Sequence, residues 1–174
     1  GVSRGDPDYY SLSVMNYILG GGGFASRLMD NIRDNKGLVY DIHSYFAADR
    51  LGGTFQIGLQ TKSESANLAI SETIKEINRI RTELVTDEEL SDAKAFLTGS
   101  FPMRIETGER IANFLVAVEL YGLGSDYVDE YAGFINAVTS ENILLIAKKY
   151  LHPEKLVIVV VGDQEKIALQ EDFR

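Results

Sequence analysis

Arg33 and Tyr40 are the two residues whose chemistry and spacing best suit work on a peptide. A guanidinium donates to carbonyl oxygens, and a phenol can donate to a developing oxyanion. They stand on either side of a Lys36-Gly37 turn, Arg33 ending a helix and Tyr40 entering a strand, so both can face one surface cleft. Taken alone, each also fits ordinary structural work, as a helix-end cation and a sheet aromatic. Upstream, Gly20, Gly21, Gly22 and Gly23 precede Phe24-Ala25-Ser26-Arg27. Such a run permits close backbone approach, and a helix start after it can bind an anion. The Lys and Ser/Thr of a phosphate loop are missing, so composition favours a helix-to-helix connection. His43 falls in a strand pattern on the face of Val39, Asp41 and Tyr45, and His152 lies beside Pro153. They are far apart and neither belongs to a His-x-x-Glu-His cluster, so both read as structural. Asp87, Glu88 and Glu89 are explained by a helix first turn and are assigned no chemistry.

The composition narrows the field. The chain has 174 residues, with 17 Lys+Arg against 26 Asp+Glu, a formal charge of −9. That charge disfavours nucleic acid, since no basic patch offsets it. There is no cysteine, so disulfides, thiolate nucleophiles and zinc–thiolate sites are excluded. No apolar run reaches membrane-spanning length, and the first residues are not a signal peptide. A start without Met reads as that of an excised fragment, with any targeting segment lost.

The elements that position these residues are legible from caps and periodicity. Asp6-Pro7 opens a helix over residues 9–19 that the glycines stop, and a second helix is expected over 24–33. Residues 38–46 and 54–61 read as strands of an antiparallel hairpin, with Phe55, Ile57 and Leu59 alternating against polar neighbours. Ile70, Ile74, Ile77 and Ile80 give an apolar stripe over 65–81. Thr86 and Glu89 form a capping box, with Val85 stapling onto Leu90. That helix runs towards Phe101, where Pro102 can bend it; further helices follow around 111–121, 127–137 and 140–150. Thr139 caps the last, with Val138 set to staple onto Ile143. Residues 156–161, all aliphatic, are expected as a closing strand covered on both faces. The fold class is α+β: one domain over 1–174, with helices layered on a mainly antiparallel sheet.

These features occur in one order, and the order resembles a known family. Residues 9–40, YYSLSVMNYILGGGGFASRLMDNIRDNKGLVY, are similar to the C-terminal half of pitrilysin/insulinase-type zinc peptidases. These inverted-motif zincins include mitochondrial processing peptidases and many bacterial two-chain homologues. The likeness continues through Gly53-Thr54-Phe55, VTDEEL at 85–90, residues 99–106, Ala137-Val138-Thr139 and LVIVVVGD at 156–163.

The resemblance implies two related α+β halves that close around a peptide. One half carries His-x-x-Glu-His and a distal Glu, holding zinc and activating water. The other lacks metal ligands and contributes an Arg and a Tyr spaced as Arg33 and Tyr40 are. It often adds a glycine-rich segment like Gly20, Gly21, Gly22 and Gly23, implicated in substrate handling, although the run here is short. The expected function is thus the zinc-free, substrate-binding half of a zinc metalloendopeptidase, inactive alone. It holds no cofactor itself; zinc belongs to a homologous partner half, in the same chain or a separate subunit. The first strand of such a half is expected ahead of Gly1, with residues 2–4 its end. A non-catalytic scaffold subunit of the same fold is the alternative. The cysteine-free composition fits bacterial cytoplasm and periplasm alike.

Overall fold

A computed structural model describes residues 2–170 and Phe173. The chain enters through Asp6, whose carboxylate accepts the Asp8 N–H at 2.9 Å, and rises into α1 (Tyr9–Asn16). The helix continues as a wider π-helical segment, Tyr17–Gly21, before the glycines end it. The expected second helix starts later and looser than residue 24. Gly23–Ala25 form a 3₁₀ turn, Ser26 is extended, and the helical segment reaches Asn35 with Met29–Asn35 again π-helical. β1 (Val39–Ala48) and β2 (Gly53–Thr61) then form the antiparallel hairpin, Phe46 facing Phe55 across it.

The helices fall where the caps and stripes place them. They are α2 (Ala66–Thr82), α3 (Asp87–Gly99), α4 (Gly108–Tyr121), α5 (Tyr127–Asn136) and α6 (Ser140–Tyr150); the short α7 (Gln164–Ile167) forms where no helix is expected. Thr86 and Glu89 make the reciprocal capping box, and Thr139 makes a second one with Asn142. The buried staple residues Val85, Val138 and Ile143 fix the entry angles. Pro102 does not kink a continuous helix: Phe101–Ile105 is a 3₁₀ turn that separates α3 from α4. Gly122, at φ 61°, closes α4 in the left-handed conformation.

The core lies between the helices and the inner face of the hairpin. Leu12, Met15 and Leu19 from the first helix meet Leu28, Ile32 and Ile42, all essentially inaccessible. The α2 stripe is only half as expected. Ile77 and Ile80 are buried but Ile70 and Ile74 only partly so, and Glu72, Thr73 and Glu76 share the covered face.

The closing strand is the clear departure. Residues 156–161 belong to no sheet among the described residues, where the only sheet is the hairpin. Val157, Val159 and Val161 are 88%, 81% and 95% exposed rather than covered. An aliphatic run becomes a strand only where a neighbouring backbone supplies hydrogen-bond partners, and no described residue pairs with it. The expected first strand lies ahead of Gly1, outside the described residues. At its predicted end, Ser3 forms a parallel bridge to Asp49, with the Arg4 N–H donating to the Asp49 carbonyl at 2.9 Å.

Candidate functional site

Arg33 and Tyr40 are brought together, through backbone rather than side chain. The hairpin register slips between Val39 and Asp41, so Tyr40 is the extra residue of a β-bulge with no partner on β2. Bulges re-aim side chains. Tyr40 and Asp41 both face outward between buried Val39 and Ile42, and the Tyr40 side chain is 81% exposed. The Nε–H of Arg33 donates to the Tyr40 carbonyl at 3.0 Å. Its Nη1 donates to Asp34 at 2.7 Å, and the guanidinium lies 4.8 Å from the centroid of the Phe24 ring. The glycine run, the helix end and the strand entrance therefore meet on one exposed surface.

The bulge also changes the phase of β1. Val39 does not share a face with Asp41, His43 and Tyr45 as alternation predicts; it points inward with Ile42 and Ser44. Beyond the bulge, His43 and Tyr45 remain outward with Asp41. His43 Nδ1 lies 3.0 Å from Asp41 Oδ2. His152 pairs with Glu154 and lies remote in sequence from the hairpin.

The four glycines do different things. Gly20 is buried, and a Cβ there would lie 2.6 Å from Ser44 Oγ and 2.7 Å from Leu28 Cδ1, so its bare backbone lets the first helix press onto β1. A Cβ at Gly22 would meet the Tyr17 carbonyl at 2.7 Å. Gly23 takes φ 59° in open space and turns the chain so that Phe24 reaches Arg33. Of the run, Gly21 and Gly23 are exposed.

Three polar anchors fix the helical segment that carries Arg33. Arg27 binds Glu89 of the α3 capping box in a fork, Nε at 2.5 Å and Nη2 at 2.8 Å. Asn31 donates to Glu76 of α2 at 2.8 Å. Lys36 donates to Glu72, which also receives Lys75 at 2.6 Å. Burial alone would raise the Glu89 carboxyl, but the Arg27 fork and the Thr86 N–H overcome it and hold the group at about 2. The lysine hydrogen bonds likewise lower Glu72. Glu76 is raised instead, because its burial outweighs Arg79, Arg27 and Asn31. Sequence reasoning missed all three anchors. The available signal was Glu72 and Glu76, one turn apart beside the apolar stripe of a helix.

Among the described residues, no group of three or more His, Cys, Asp or Glu side chains is placed to hold a metal ion. The described residues therefore do not fit the zinc that the resemblance implies. No helix is long and apolar enough to cross a membrane.

The family described as "Peptidase M16 inactive domain" matches residues 1–97, more than half of the sequence. The chain belongs to this family. A crystal structure of the M16 inactive domain from Pseudomonas fluorescens superposes with a TM-score of 0.81 at 33% identity, over 89% of this chain and 37% of that one. In sequence, the chain is 28% identical to the "Non-peptidase homolog YmxG" of Helicobacter pylori, over 91% of its own length and 37% of that protein. It is 29% identical to the "Uncharacterized zinc protease YmxG" of Bacillus subtilis, over 86% and 36% respectively. The chain thus spans well under half the length of these relatives. It is an M16 inactive domain of the kind found in zinc protease-like proteins, with the expected α+β fold.

Proposed function

We propose that this M16 domain is the metal-free, C-terminal half of a two-half peptidase, and that it binds the peptide and completes the active site of a zinc-bearing half. The observation that carries this reading is the Arg33–Tyr40 link. An exposed tyrosine is aimed outward by a bulge whose carbonyl is held by an arginine at 3.0 Å. Nothing in the fold of this half requires Tyr40 to be a tyrosine, since its side chain is largely free of the core. The partner half supplies the metal and the attacking water. Tyr40 donates its hydroxyl hydrogen to the scissile carbonyl as it becomes an oxyanion. Arg33 has two of its nitrogens committed, to Tyr40 and Asp34, and among the described residues Nη2 donates to nothing. Arg33 therefore positions the bulge and offers Nη2 to a substrate carbonyl, with exposed Gly21 and Gly23 on the approach.

The test uses the complete protein, or this half together with its zinc-bearing partner. Tyr40→Phe and Arg33→Ala should each depress peptide cleavage while folding and zinc content stay intact. Unchanged cleavage in both variants overturns the assignment.

One observation favours a second reading, a non-catalytic scaffold: the Helicobacter relative is named a non-peptidase homolog. The full reading frame and its neighbour discriminate. A His-x-x-Glu-His motif there supports the peptidase, and its absence supports the scaffold.

A further inference from the structure

We propose that the cavity between the first helix, α3 and the turn before α4 binds a small carboxylate with an aromatic or aliphatic tail, held by Arg104. The proposal goes beyond the Arg33–Tyr40 reading and does not depend on it.

The cavity measures about 220 Å³. Tyr9 and Tyr17 of the first helix, Phe96 of α3 and Tyr131 of α5 wall it, and Arg104 of the 3₁₀ turn stands among them. Folding leaves that arginine uncommitted. Its guanidinium lies over the Phe101 and Tyr131 rings, 5.5 Å and 5.3 Å from their centroids, and among the described residues it makes no hydrogen bond and no ion pair. A guanidinium held by ring faces keeps its N–H donors for a carboxylate, which can accept two of them at once.

Two further groups favour an anion at this end. Arg4 lies 3.8 Å from the centroid of the Tyr9 ring, and its buried Nη1 has no hydrogen-bond partner among the described residues. The chain carries −9 overall, yet neither arginine meets a carboxylate among the described residues. Tyr131 is 3% exposed, and its hydroxyl makes no hydrogen bond among the described residues. Burial holds that hydroxyl above the ordinary tyrosine range, so it remains a neutral donor.

The other end has the opposite character. Tyr17 lies eight residues beyond Tyr9, about 12 Å along the helix, and packs against Phe96 with centroids 4.8 Å apart. Burial, reinforced by the nearby Asp92 carboxylate, raises the Tyr17 hydroxyl. A negative group is therefore drawn to Arg104, and an apolar tail to Tyr17 and Phe96. One free guanidinium matches one charge. A phosphate would meet Asp92 and the overall −9 with no lysine in the lining to offset them. A free small acid and the C-terminus of a peptide share this chemistry.

The experiment titrates the complete protein with hydrocinnamate and with its uncharged amide, hydrocinnamide, by isothermal calorimetry. The acid should bind at least about tenfold more tightly than the amide, through its charge-assisted bonds to Arg104. Arg104→Gln should bring the two to equal affinity with little change in Tm, since Arg104 is exposed. Phe96→Ala should weaken both alike. A short peptide ending in phenylalanine distinguishes the sources. Competition with hydrocinnamate by its free acid, and not by its C-terminal amide, supports a chain terminus as occupant; absence of competition supports a small acid. Equal affinity for acid and amide in the unmodified protein, a preference that survives in Arg104→Gln, or no binding of either compound overturns the site. None of these results bears on the Arg33–Tyr40 reading.

Discussion

The Nε–H of Arg33 donates to the backbone carbonyl of Tyr40 at 3.0 Å, while the Tyr40 side chain stands 81% exposed. The arginine therefore controls where the tyrosine points without touching its ring. Only a guanidinium can bond the carbonyl through Nε and still reach Asp34 through Nη1.

Arg33→Lys should accordingly behave as a loss rather than a conservative change. A lysine keeps the charge but cannot hold the bulge carbonyl and Asp34 in the same geometry. In the complete protein, kcat for peptide cleavage should fall at least about tenfold, with little change in Tm. Full activity in Arg33→Lys would show that charge alone suffices.

Tyr40→Phe removes a donor and leaves the exposed ring. If the hydroxyl serves the oxyanion, kcat should drop about 10²–10³-fold, which corresponds to roughly 2.7–4 kcal/mol. KM should move little. A rise in KM at constant kcat would instead assign Tyr40 to ground-state binding.

Gly20 and Gly23 should respond differently to alanine. At Gly20 the new methyl would lie 2.6 Å from Ser44 Oγ and 2.9 Å from the Ser44 nitrogen, so the first helix must back away from β1 at a cost of about 1–3 kcal/mol. At Gly23 there is space, and the cost is only the left-handed backbone, about 1–2 kcal/mol. Thermal unfolding measures both. The Gly20 variant should also lose activity, because Ser44 lies on the strand that carries Tyr40; the Gly23 variant should retain most of it.

Acid sensitivity should centre on Glu89. Its carboxyl sits at about 2 against an ordinary 4.5, so the folded state binds its proton less readily than the unfolded one. The resulting stabilisation, at most about 3 kcal/mol, is complete above pH 4.5 and disappears as pH falls towards 2. Glu76, raised by burial, acts in the opposite direction and at higher pH: the penalty of burying its charged form is relieved as pH falls towards 4.5, before the Glu89 limb begins. Urea midpoints measured against pH should show a steep acid fall that Glu89→Gln flattens. An unaltered slope would mean that the Arg27 fork contributes little.

Where the sequence can be read and where it cannot follows from the range of each interaction. The capping boxes at Thr86 and Thr139, the staples and the hairpin depend on residues a few positions apart, and they form as the spacing predicts. The Arg27–Glu89 fork joins residues 62 positions apart, and no local pattern announces it. Simple alternation puts Val39 on the outward face, whereas the bulge adds one residue at Tyr40 and turns Val39 inward; period-two reasoning has no means of seeing such an insertion. The family order of motifs singled out Arg33 and Tyr40. What it could not convey is that they meet through a carbonyl.

The bare aliphatic run at 156–161 has a practical consequence. Such a segment, exposed, uncharged and rich in valine, is an adhesive surface for any backbone that can lie alongside it. A preparation of these 174 residues alone should self-associate as concentration rises. Added salt should not disperse it, since no charge is there to screen. A lysine in place of Val159, 81% exposed at the middle of the run, should lower the scattering without altering the helical signal. The domain is thus expected to be well behaved only in company.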